Sequence, residues 1–127
     1  MIELQIQGTV VKEILVGYTI TLRSGTSASE YELQIECELS LSDPAGFTKV
    51  APEEYSLIES RLGSLVGATV ISACSDDNGE LIMKFSNDVM ISVPVDQDFE
   101  AWGIAGPGGY RVISSPGGGV ARWSERP

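Results

Sequence analysis

Residues 30–41 alternate without a break. Tyr31, Leu33, Ile35, Cys37, Leu39 and Leu41 fall on one side of an extended chain, and Glu32, Gln34, Glu36, Glu38 and Ser40 fall on the other. A period of two describes a strand with one face in an apolar core and one in water. Such one-sided strands belong to antiparallel sheets, because parallel strands are covered on both faces. The same pattern recurs at Ile2–Ile6, Tyr18–Leu22, Leu81–Phe85 and Val89–Val95.

Turn residues punctuate these runs. Asn78-Gly79 is a strong hairpin signal, Asn87-Asp88 is a second tight turn, and Asp43-Pro44-Ala45-Gly46 a third. Pro94 has no N–H for a ladder, so its strand should end there or lie at an edge. One helix is expected at about 52–62. Pro52 suits its first position, Tyr55, Ile58 and Leu62 give a narrow apolar stripe, and Gly63 is a natural stop. Gly8-Thr9-Val10-Val11 and Gly67-Ala68-Thr69-Val70 each open three strand-like segments, spanning about 8–41 and 67–95. These read as two three-stranded meanders. Tyr110–Ser114 and Val120–Trp123, joined by Ser115-Pro116-Gly117-Gly118-Gly119, read as a C-terminal hairpin. The expected fold is mainly β (α+β): six to eight antiparallel strands in a barrel-like or sandwich sheet, with one short helix. At 127 residues the chain is expected to form a single domain, 1–127.

Composition narrows function more by exclusion than by assignment. There is no histidine, so Ser-His-Asp and Cys-His arrangements cannot exist, and the commonest metal ligand is missing. Two cysteines cannot make a four-thiolate zinc site. Cys37 and Cys74 both sit in apolar strand patterns and read as small core hydrophobes. Asp76-Asp77-Asn78-Gly79-Glu80 lacks the spacing of a calcium loop, and Gly106-Pro107-Gly108-Gly109 lacks the Gly-Lys-Ser/Thr ending of a phosphate loop. No catalytic residue, metal or cofactor is expected. Eighteen carboxylates on a small surface guarantee close pairs, so their proximity alone is no sign of a carboxylate enzyme.

The net charge is −10. An acidic chain is a poor ligand for phosphate-rich nucleic acid or an anionic membrane, but it attracts cationic partners. Residues 1–100 carry a balance of −12 and residues 101–127 a balance of +2. Glu32, Glu36 and Glu38 form the acidic stripe of the clearest strand, either a solvated face or a docking surface for a basic protein. Trp102, Tyr110, Arg111 and Trp123 form the second candidate cluster, since Trp, Tyr and Arg carry much interface energy. The bland alternative is that the tryptophans plug a small β core. The start Met-Ile-Glu-Leu-Gln-Ile-Gln has neither a basic region nor a continuous apolar run, so a cytoplasmic location is expected. An edge strand offers pairing between two copies of the chain.

The tail carries a resemblance. Asp98-Phe99-Glu100-Ala101-Trp102, Gly106-Pro107-Gly108-Gly109 and Pro116-Gly117-Gly118-Gly119-Val120-Ala121-Arg122-Trp123 resemble the C-terminal signature of a small family of uncharacterised bacterial proteins, mainly actinobacterial. The resemblance covers roughly residues 62–123. It implies that Trp102, the Gly-Pro-Gly-Gly loop and Trp123 belong to one structural unit. It supplies no activity. In physical type the chain is similar to bacterial immunity proteins, which act by binding. Three readings follow: a small acidic non-catalytic protein that binds a basic partner, a small-ligand binder at Trp102, Tyr110 and Trp123, and a carboxylate-based enzyme.

Overall fold

The unbroken alternation over 30–41 does not make one strand. In the computed structural model, which describes residues 1–26 and 28–123, it is divided between two sheets. The strands are β1 (Ile2–Glu3), β2 (Val11–Val16), β3 (Ile20–Thr26), β4 (Ser29–Ile35), β5 (Leu39–Asp43), β6 (Gly46–Val50), β7 (Val70–Ser75), β8 (Leu81–Phe85), β9 (Met90–Val93), β10 (Trp102–Ala105), β11 (Arg111–Ser114) and β12 (Val120–Trp123). Helix α1 spans Tyr55–Leu62. Sheet I has the order β1-β7-β8-β9-β5-β6, and sheet II the order β12-β11-β10-β4-β3-β2. Every pairing is antiparallel.

The mainly β expectation therefore holds, as an open two-sheet arrangement and not a closed barrel. The described residues form twelve strands where six to eight were expected. The excess comes from short pieces of two to five residues, such as β1, β5, β6 and β10, several of them beside glycines that mask a strand pattern. The break at Glu36–Glu38 has a packing cause. Both inner sheet faces are apolar, so a chain can change sheets and keep its inward parity. Leu33 and Ile35 in sheet II, and Leu39 and Leu41 in sheet I, all lie in the same buried cluster.

The two meanders are real: β2-β3-β4 forms one end of sheet II, with β2 at the edge, and β7-β8-β9 lies in the interior of sheet I. The first meander ends at Ile35, not at residue 41. The C-terminal hairpin β11-β12 is present, with Arg111 opposite Trp123, and β10 joins it to β4. Pro94 follows the last residue of β9, as its missing N–H requires. The hairpin turn at 76–79 is held by Asp76, whose carboxylate accepts the N–H groups of Asn78, Gly79 and Glu80 at 2.9–3.0 Å.

Two local expectations are corrected. Ile2–Ile6 is a strand only at Ile2–Glu3. The chain then turns, yet Leu4 and Ile6 remain buried, and Gln7 Oε1 accepts the N–H of Ala73 in place of a backbone partner. The helix begins later than expected because Ala51–Glu54 forms a turn. There the N–H of Glu54 donates to Ala51 O while the Glu54 side chain accepts the N–H of Ala51. Ile58 and Leu62 are buried, whereas Tyr55 is exposed. Gly63 does not stop the chain. It continues into a short 3-10 turn over Gly63–Leu65, and the left-handed residue is Gly67. Arg61 fixes the helix to the β5–β6 turn through two bonds of 2.9 Å to Asp43 and one to Gly46 O.

Candidate functional site

The outer face of sheet II is legible from its register. Glu13, Arg23, Glu32, Ala105, Arg111 and Trp123 stand in one row across six strands. Leu15, Thr21, Gln34, Gly103, Ile113 and Ala121 form the next row. β10 therefore turns Trp102 and Ile104 into the core and presents only Gly103 and Ala105 outward. Two side chains of almost no bulk, flanked by long ones, leave a furrow along the strand. Its volume is about 150 Å³. Glu32, Gln34 and Glu36 wall one side, Arg111 and Ile113 the other, and Glu100 stands at one end.

The charges of this face are not equivalent. Arg23 donates to Glu13 at 3.0 Å and to Glu32 at 3.1 Å. These bonds, that to Glu32 foremost, raise the Arg23 pKa above its ordinary value. Glu32 thus already has a cationic partner, which it shares with Glu13. Glu36 and Glu100 make no ion pair among the described residues, and neither does Arg111. The Arg111 guanidinium lies 5.9 Å from the Trp123 ring centre, within reach of a cation–π contact.

The furrow collects some of the residues expected from sequence and leaves out others. Glu32, Glu36 and Arg111 line it, and Trp123, 49 % exposed, stands beside Arg111. Glu36 lies just past the end of β4, where its N–H donates to Ala101 O at 2.9 Å. Glu38 sits exposed in the link between sheets, away from the furrow lining, so the stripe on a single strand is not formed. Trp102 is 1 % exposed and its indole N–H donates to Gly79 O at 2.9 Å. Its ring is a core plug. Tyr110 is also turned inward. Its hydroxyl accepts the N–H of Gln5 at 3.1 Å, its ring meets Tyr31 edge-on at 6.1 Å, and burial pushes its pKa up. Tyr110 and Trp123 border a separate shallow hollow with Gln5 and Arg122. Gln34, Glu100, Gly103, Ala105 and Ile113 were not singled out from sequence. The signal was the alternation Trp102-Gly103-Ile104-Ala105, large inward and small outward.

The three tail motifs lie on one meander, β10-β11-β12, but their contacts differ. Trp102 fastens the 76–79 turn, which Gly119 also meets by donating its N–H to Asn78 O at 2.8 Å. A Cβ on Gly106 would stand 2.6 Å from the Tyr31 ring, so this glycine makes room for an aromatic. Trp123 faces Arg111 instead.

Other chemistry has little support. Cys37 and Cys74 are free. Burial, reinforced by nearby Asp96, raises the Cys37 pKa and so disfavours its nucleophilic thiolate. Among the described residues, no group of three or more His, Cys, Asp or Glu could hold a metal ion. No described helix is long and apolar enough to cross a membrane.

These features define an antiparallel two-sheet β protein with a narrow polar furrow on one outer face. The chain belongs to a family of unknown function (DUF6188), whose sequence profile matches residues 2–124. No curated protein and no solved structure matches it.

Proposed function

We propose that this chain is a non-catalytic binding protein that docks a basic partner on the outer face of sheet II, with neutralisation of a toxin by an immunity protein as one form such a role takes. The observation that carries the reading is the furrow over Gly103 and Ala105, with Glu36 and Glu100 not ion-paired among the described residues. A protein of charge −10 attracts a cationic surface over distance, and a furrow one strand wide admits a side chain between its walls. Catalysis by carboxylates is disfavoured. General acid–base work relies on groups tuned by burial, and no described carboxylate is buried. A small-ligand site built on Trp102 is also disfavoured, because that indole is enclosed and bonded to Gly79.

The test is affinity capture followed by titration of the captured protein at about 0.05 M and about 0.5 M salt, where the Debye length falls from roughly 14 to 4 Å. The expected result is binding that weakens with salt and weakens again in Glu36→Gln/Glu100→Gln, but not in Glu53→Gln. A partner held equally at both salts and by the double variant would place the contact elsewhere and refute the proposal.

A further inference from the structure

The furrow carries charge at both ends and is not only acidic. Glu36 hydrogen-bonds through its backbone to Ala101, and Glu100 precedes that residue, so two carboxylates mark one end. Four residues along, Ala105 stands opposite Arg111, whose guanidinium faces Trp123. Glu32 is beside this second end, but its carboxylate is bonded to Arg23 and makes no ion pair with Arg111 among the described residues. Between the ends lie Gly103 and Ile113, which carry no charge. A negative end, an apolar middle and a positive end therefore follow one another along a single strand.

Resting on the docking role proposed above, we infer that the furrow recognises an extended peptide segment of the partner carrying Lys or Arg at position i, a small or apolar residue at i+2, and Asp or Glu at i+4. The spacing follows from strand geometry. Residues 101 to 105 span about 13 Å, and an extended ligand repeats the same rise with side chains i, i+2 and i+4 on one face. The cation meets Glu36 and Glu100, the middle residue lies over Gly103 against Ile113, and the carboxylate meets Arg111. Charge complementarity of this kind selects register and partner more than it adds affinity.

The test uses three capped nine-residue peptides with serine at all other positions: one with Lys, Val and Glu at i, i+2 and i+4, one with Glu moved to i+3, and one with Glu replaced by Ser. Binding is followed by the amide NMR shifts of Gly103 and Ala105. Exposed ion pairs are individually weak, so the patterned peptide is expected to bind about threefold tighter than either control. Arg111→Gln should bring that ratio to one while leaving the salt-sensitive Lys contact. Equal binding of all three peptides to the unmodified protein, with shifts at Gly103 and Ala105, would overturn the bipolar pattern and leave the basic-partner reading standing. Absence of shifts with every peptide would overturn the pattern too. Were the captured partner also insensitive to Glu36→Gln/Glu100→Gln, the docking reading would fall with it.

Discussion

Replacing Gly103 by Val separates the stability of sheet II from the use made of its outer face. Gly103 lies in the interior of β10, between Gln34 and Ile113 on the neighbouring strands. A Cβ there would meet only Ile113 Cγ1 and Val112 O, both at 3.7 Å, which is ordinary contact. The backbone does not need glycine at this position, since its φ lies outside the left-handed region. Glycine within a strand costs about 0.5–1 kcal/mol relative to residues that restrict the unfolded chain, and valine is among the best strand formers. Gly103→Val should therefore stabilise the protein by about 0.5–1 kcal/mol, a rise of a few degrees in Tm, while its methyl groups fill the furrow and remove peptide or partner binding. Urea unfolding with a matched binding titration measures both. Gly106→Ala is the opposite control. Its Cβ would stand 2.6 Å from two Tyr31 ring carbons and 3.3 Å from Tyr110, so overpacking should cost about 1–3 kcal/mol. Destabilisation by Gly103→Val, or binding that survives it, would refute the reasoning that the small residues of β10 exist to leave open space.

Trp102→Phe removes the indole donor from Gly79 O and should cost about 1–3 kcal/mol, because the carbonyl of buried Gly79 loses its partner. Chemical denaturation reads this directly, and an unchanged midpoint would show that the turn finds another donor. The Arg61 guanidinium holds the Asp43 pKa below its ordinary value, helped by the backbone N–H groups of Ala45 and Gly46. A depressed folded pKa contributes stability above the unfolded pKa of about 4, and that stability is lost as pH falls through the folded value. Asp43→Asn should thus flatten the acid limb of the stability curve below about pH 4. An acid limb of unchanged slope would assign the loss to other carboxylates.

The pattern of inward residues was legible because hydrophobic parity survives changes of partner. Leu33, Ile35, Leu39 and Leu41 fall on the apolar side of the alternation, and all are buried, even though the run that holds them is two strands in different sheets. Parity says which side of the chain is apolar; it does not say which sheet provides the hydrogen bonds. The turns at Asn78-Gly79 and Asn87-Asp88 were legible because their backbone demands are local: Gly79 and Asp88 both adopt positive φ. What was hidden depended on distant strands. No sequence spacing links Glu32 to Arg111, which line one furrow only because β10 lies between β4 and β11. The acidic stripe failed at Glu38 for the same reason, since the change of sheet takes that residue away from Glu32 and Glu36. The tryptophans were paired by composition, yet strand parity separates them. Trp102 points inward from β10 while Trp123 stands outward in the row of Arg111.

That separation bears on what the tail motifs can do. Trp102 and Gly119 fix the 76–79 turn from one side of the meander, and Gly106 admits Tyr31 at its end. These contacts add to the ladders that fix the register of β10 between β4 and β11. The furrow needs that register, because a shift of one residue along β10 would turn Trp102 and Ile104 outward and bury Gly103 and Ala105. The Trp102 indole, Gly106 and Gly119 therefore act on the outer face without being part of it, whereas Glu100 and Trp123 of the same motifs stand on that face. Their large inward side chains determine the parity that leaves the small ones outside. On this argument, a substitution at Trp102 that loosens β10 should weaken peptide binding through the geometry of the furrow, although the indole itself touches no ligand.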